Sequence, residues 1–117
     1  MAVKRIVANI QAGKTEAAKC FYGDILDLKL AMDQGWIVTW ASDNSMAPQV
    51  SIALEGGAGT AVPDLSIEVD NLDEVYQRVV AAGLTVEYGL VEEAWGVRRF
   101  YVRDPFGRLI NILSHVQ

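Results

Sequence analysis

Few side chains in this sequence have types suited to chemistry. There is one histidine, His115, and one cysteine, Cys20. They lie far apart along the chain, and Cys20 falls in a helical apolar pattern, so it reads as a small packing residue and not a nucleophile. Catalytic zinc takes three protein ligands, and Fe²⁺, Ni²⁺ and Zn²⁺ favour imidazole and carboxylate donors. A single imidazole offers little of that. No paired carboxylates or His–carboxylate pair can be placed together from sequence, which weakens general acid–base chemistry as well. Three tryptophans, Trp36, Trp40 and Trp95, are better placed, since flat aromatic walls suit planar or cationic ligands. Glu92-Glu93, just before Ala94-Trp95, read as a solvated loop, or as a cation-favouring rim if that loop overhangs a site.

The glycine-rich run Gly56-Gly57-Ala58-Gly59-Thr60 invites a phosphate-loop reading. It lacks the Lys-Ser/Thr that such a loop needs and leads to Pro63 instead of a helix, so a flexible linker is expected.

These residues need elements to position them. Residues 4–12 alternate as a strand, and Thr15 stands as the N-cap of a helix running to Leu26. Ala17, Ala18, Phe21, Ile25 and Leu28 mark its apolar face. Strands are expected near 28–33, 36–42 and 49–55, with a turn at Asp33-Gln34-Gly35 and a loop at Asp43-Asn44-Ser45. In the 36–42 strand, Trp36, Val38 and Trp40 share a face. After the glycine run the pattern restarts. Residues 65–69 form a strand, and Asn71 with Glu74 forms a capping box. Leu72, Val75, Val79 and Ala82 give the stripe of the following helix, and Gly83 ends it. Strands over 85–88, 97–103 and 108–114 follow, the last two joined by the turn Asp104-Pro105-Phe106-Gly107. The order is βαβββ twice, in near-equal halves over residues 4–55 and 62–115 with a joint at 56–61.

Length and composition bound the reading. The 117 residues are 51% hydrophobic and 21% charged, which suits one globular domain. Ten Lys+Arg against fifteen Asp+Glu give a net charge of −5. That balance argues against a nucleic-acid partner, which needs clustered cations. No run reaches the ~20 apolar residues of a membrane span, and MAVKRIVANIQAGK lacks the apolar core of a signal peptide. A single cysteine forms no internal disulfide. A cytoplasmic protein without membrane attachment is expected.

Three segments carry a family resemblance. Phe21-Tyr22-Gly23-Asp24-Ile25-Leu26-Asp27-Leu28 resembles an FY-x-x-x-LG-hydrophobic motif, with Asp27 where glycine usually stands. Val69-Asp70-Asn71-Leu72-Asp73 through Ala82-Gly83 resembles the start of a second module. Trp95-Gly96 through Arg98-x-Phe100 to Asp104-Pro105-Phe106-Gly107 is similar to a WG…R-x-F-x-x-x-DP-x-G hairpin. With the duplication, these identify the chain as a member of the vicinal oxygen chelate superfamily, which holds glyoxalase I, extradiol dioxygenases and bleomycin-resistance proteins.

The resemblance implies an α+β fold in which two βαβββ modules curl their mixed sheets into a cup-shaped site. Metal-dependent members place ligands on the first strand of each module and on a late strand. Those positions here are Val7, Asp64 and Asn111. Val7 has no donor atom, Asp64 suits a hard cation, and Asn111 offers only an amide oxygen. His115 stands four residues beyond Asn111, about 13 Å along a strand. No metal and no other cofactor is therefore expected.

If the hairpin turns on Pro105-Phe106, opposed residue numbers sum to 211, so Phe100 faces Asn111 and Arg98 faces Leu113. Arg98, Phe100 and Asn111 would then line the cup together, with Trp36, Val38 and Trp40 from the other module and Trp95 at the rim. The plainer readings are that Trp36 and Trp40 pack against a helix or at a dimer interface, and that Arg98 pairs with an acidic neighbour at the surface.

Two functions follow from the resemblance. One is a metal-free binding protein like the bleomycin-resistance branch, which sequesters a cationic or aromatic small molecule in a groove of a homodimer. The other is a metal-dependent lyase, isomerase or extradiol-type dioxygenase acting on a vicinal-oxygen substrate.

Overall fold

The computed structural model describes residues 3–25, 28–42 and 49–116. The loop expected at Asp43-Asn44-Ser45 and positions Leu26 and Asp27 of the first motif lie outside the described residues. The fold is α+β, with eight strands among the described residues: β1 (Val3–Gln11), β2 (Lys29–Asp33), β3 (Ile37–Ala41), β4 (Gln49–Ala53), β5 (Leu65–Val69), β6 (Val86–Glu92), β7 (Val97–Arg103) and β8 (Leu109–His115). A π-helical segment spans Lys19–Ile25, and helix α1 spans Leu72–Ala81. The chain divides into two compact units. The first holds Val7–Val62; the second holds the first described residues of β1 together with the chain from Pro63 onward.

Each unit repeats one strand order. In the first, β2, β3 and β4 are antiparallel neighbours and β4 pairs β1 in parallel. In the second, β6, β7 and β8 are antiparallel neighbours and β8 pairs β5 in parallel. Both units are therefore βαβββ modules, as the duplicated pattern predicts.

The first unit packs Ala18 from its helical segment on Val38, Trp40 and Ile52, with Tyr22, Leu28 and Val50 around them. The helix expected from Thr15 differs in kind. Its i→i+5 bonding widens the turn, so a stripe set at three- and four-residue spacing rotates off the sheet. Ile25, expected inside, is 65% exposed, and Cys20 is exposed rather than packed.

The glycine-rich joint is not a loose linker. Gly56 N donates to Thr60 O at 2.8 Å and Thr60 N to Gly57 O at 3.0 Å, while Glu55 Oε1 accepts from Gly59 N at 2.8 Å. These bonds satisfy the turn's amides locally, so it is a closed turn.

The second unit packs α1 on its sheet through Leu72, Val75, Tyr76 and Val79. Phe100 is fully buried there, edge-to-face with Tyr76 at 5.0 Å. The capping box does not form. Asn71 Nδ2 donates to Glu74 Oε2 at 3.2 Å, and no side chain caps the helix amides. Strand β6 runs on to Glu92, past the expected end at Tyr88. Two register shifts against β7 break its alternation, which hid its length from a period-two reading.

The β7–β8 register corrects the sequence reading most. Tyr101 faces Asn111, Phe100 faces Ile112 and Arg98 faces Ser114. The connection is a three-residue loop closed by Asp104 N donating to Arg108 O at 3.0 Å, with Gly107 at φ 80°. A type I turn followed by a left-handed glycine is the usual three-residue hairpin, and it moves the register by one. Arg98 and Phe100 therefore lie on the face opposite Asn111. Arg98 pairs with Asp73 of α1 at 3.0 and 3.3 Å, and Phe100 is core.

Candidate functional site

The first unit holds a cleft of about 430 Å³ beside its helical segment. Trp40, Val38, Leu28 and Leu30 supply its apolar wall. Strand alternation puts Val38 and Trp40 on the face covered by the helical segment, and Leu30 joins them as the partner of Trp40 in β2. Glu16, Asp24 and Asp33 add three carboxylates, against one cation among the described lining residues, Lys19, which sits 3.9 Å from Asp24. The Trp40 ring reaches this wall because residue 23 is glycine: a Cβ there would lie 2.9 Å from Trp40 Cζ3. Trp40 Nε1 is buried and makes no hydrogen bond among the described residues. Trp36 is half-buried and does not line the cleft; its carbonyl accepts from Leu54 N at 2.9 Å.

In the second unit, the sheet face opposite α1 carries polar side chains beside Leu109 and Leu113. Register places Ser66, Glu68, Arg99, Tyr101 and Asn111 on it. Arg99 is 3% exposed, and its guanidinium meets Glu93 Oε2 at 2.6 Å. It stands 5.0 Å from the centres of the Trp95 and Tyr101 rings and 5.3 Å from that of Tyr88. Tyr88 OH donates to Glu93 at 3.1 Å, and Arg99 Nη1 donates to Tyr101 OH at 3.1 Å. Glu93 is thus a buried partner and not a solvated loop residue. Trp95, expected at a rim, stacks on this cation. A buried guanidinium needs such partners, because desolvation is costly and three ring faces with one carboxylate replace its water.

Glu68 anchors a second cluster on the same face. Its carboxylate accepts from Arg5 Nε at 2.6 Å and meets His115 Nδ1 at 2.9 Å. Burial pushes the Glu68 carboxyl up, but hydrogen bonds from His115 and Arg5, with the charge of Arg5, outweigh it and hold the group below its ordinary range.

The sequence pattern of the Glyoxalase/Bleomycin resistance protein/Dioxygenase superfamily matches residues 4–112. The chain belongs to that superfamily. It is 33% identical over 88 residues to a bleomycin resistance protein of Geobacillus stearothermophilus, and equally to one of Staphylococcus aureus. That match covers 74% of this chain and spans 62% of the length of these relatives. Among solved structures, a superfamily member from Vibrio splendidus 12B01 superposes with a TM-score of 0.67 at 19% identity, covering 97% of this chain and 99% of that one. Methylmalonyl-CoA epimerase from Mycobacterium tuberculosis superposes with a TM-score of 0.70 at 18% identity, covering 98% and 90%. At these identities the structures share the fold.

Glyoxalase-superfamily metal positions carry a poor donor set here. Val7 is buried hydrocarbon. The Asp64 carboxylate accepts from Leu109 N at 3.0 Å and ties the start of β8. Asn111 Nδ2 donates to Ser66 Oγ at 3.1 Å, leaving Oδ1 buried without a partner among the described residues. One amide oxygen and one engaged carboxylate do not fit the three-donor requirement of a catalytic transition metal. Among the described residues no three His, Cys, Asp or Glu side chains cluster.

Sequence reading missed Glu68, Glu93, Arg99, Tyr88 and Tyr101. One signal was available: in Leu65-Ser66-Ile67-Glu68-Val69 the polar residues alternate with apolar ones, so Glu68 had to face away from the α1 core. Arg98-Arg99 similarly requires one arginine on each face.

Proposed function

We propose that the chain binds a small cationic or aromatic molecule in the cleft of its first unit, without a metal. One observation carries this reading: an apolar wall of Trp40, Val38, Leu28 and Leu30 bordered by Glu16, Asp24 and Asp33. Its volume of about 430 Å³ falls within the ~300–1,000 Å³ of small-molecule sites. A planar cation would place its ring on Trp40 and its charge toward the carboxylates. The bleomycin resistance proteins it resembles support a sequestering role. The donor set at Val7, Asp64 and Asn111 supports the metal-free form. We read the protein as a homodimer, as the family resemblance implies.

The test is tryptophan fluorescence of the full chain, titrated with planar cations, neutral aromatics and aliphatic cations. Saturable quenching by the planar cations, lost in Trp40→Leu, is expected. Unsaturable responses throughout overturn the reading, as does one equivalent of transition metal per chain after purification without chelators. Light scattering tests the dimer.

A further inference from the structure

The second unit brings the chain's single histidine to a carboxylate that is itself held. His115 Nδ1 lies 2.9 Å from Glu68 Oε2, and Arg5 Nε donates to the other oxygen at 2.6 Å. All three residues belong to this unit. The Glu68 side chain is 11% exposed and the imidazole 52%. An ionised carboxylate only accepts, so in the neutral ring Nδ1 carries the proton and Nε2 the lone pair. Nε2 makes no hydrogen bond among the described residues and belongs to a half-exposed ring. A base fixed in one tautomer by a buried anion, with its other nitrogen open to solvent, is the base–orienter half of a hydrolytic site.

We propose that His115, positioned by Glu68, is a metal-free general base for the hydrolysis of aryl esters. Water gives a proton to Nε2 as its oxygen bonds to the ester carbonyl carbon. The tetrahedral adduct then collapses, the bond from carbon to the aryl oxygen breaks, and the aryloxide leaves. The proton on Nε2 passes to the aryloxide or to solvent, giving a carboxylic acid and a phenol and restoring the imidazole. With no second donor bonded to the ring among the described residues, the leaving group departs without acid assistance. That selects an aryl ester over an alkyl ester. The charged side chains on this sheet face from neighbouring strands include, among the described residues, Glu68 on β5, Arg5 on β1, Arg99 on β7 engaged with Glu93, and Arg103 on β7 engaged with Glu87. This activity would stand or fall separately from ligand binding in the first unit.

The experiment uses the full chain with p-nitrophenyl acetate in the presence of EDTA. Saturable hydrolysis is expected, falling roughly 10²-fold in His115→Gln, the scale of general-base catalysis. A His115→Gln variant as fast as wild type overturns the proposal, as does a rate abolished by EDTA. Glu68 is tested by Glu68→Gln, with Glu68→Asp as the conservative rescue. Both are read by the pH–rate profile and by the rate of carbethoxylation with diethyl pyrocarbonate, which a single histidine makes specific. Glu68→Gln should move the inflection and slow carbethoxylation several-fold, and Glu68→Asp should restore part of it. Unchanged profiles and rates overturn the positioning role.

Discussion

Gly23 and Trp40 are matched in space: the indole occupies the volume that a Cβ at residue 23 would fill, 2.9 Å from Cζ3 and 3.1 Å from Cη2. Gly23→Ala should therefore move the ring or the helical segment that faces it. Overpacking of this kind costs about 1–3 kcal/mol. Urea unfolding should show the lower midpoint, and titration with a planar cation should show weaker binding. A variant with unchanged midpoint and affinity would mean that the ring does not depend on that glycine.

The carboxylates of the cleft should act through charge. Asp33→Asn and Glu16→Gln are each expected to weaken binding of a planar cation by about 0.2–1 kcal/mol, the range for exposed ion pairs. The loss should shrink at high salt, where screening already removes much of the attraction. Neutral aromatic ligands should bind both variants as they bind wild type. Fluorescence titration at two ionic strengths measures each point.

The Arg99–Glu93 pair should be far more sensitive than the surface pairs. Its side chains are 3% and 7% exposed, so Glu93→Gln leaves a desolvated guanidinium without its anion. Removing one partner of a buried pair costs about 3–5 kcal/mol. Arg98→Gln, which breaks the exposed bond to Asp73, should cost far less. Thermal unfolding of the two variants side by side checks the contrast.

Glu68 should give stability an acid limb. Its folded carboxyl is held below the ordinary value of 4.5, so the folded state binds fewer protons than the unfolded chain. The stabilisation is fully present above 4.5 and is lost as pH falls through the folded value. Glu68→Gln should flatten that part of the curve. Urea midpoints across the acid range measure it; a wild-type slope retained in the variant would assign the limb to other carboxylates.

The two-module plan was legible because it rests on local patterns: period-two alternation in the strands, a 3.6-residue stripe on α1, and glycines where turns end. The core of the second unit was legible for the same reason. The first helix was less so, because its hydrogen bonds run i→i+5 and the apolar spacing carries no mark of that. Strand β6 was cut short in the reading because two irregularities against β7 interrupt its alternation.

Val38 and Trp40 share a face, as their alternation predicted, but it is the face that the helical segment covers, where Trp40 packs against the helix; Arg98 and Phe100 likewise lie on the helix side of their sheet. The error came from one residue in the turn. Counting Pro105-Phe106 as the whole loop gives one register; Gly107 at φ 80° adds a third loop residue and gives the next. Side chains alternate strictly along a strand, so that single step exchanges the two faces of β7 against Asn111.

The amino-acid sequence alone determined the strands and α1, the duplication, the superfamily and the poverty of metal donors, since each depends on residue type and short-range spacing. Tertiary structure decided what pairs with what. His115 and Glu68 are 47 positions apart, and Arg5 and Glu68 are 63 apart. No local pattern records such separations. The parallel pairing of β5 with β8 brings Glu68 and His115 to one face.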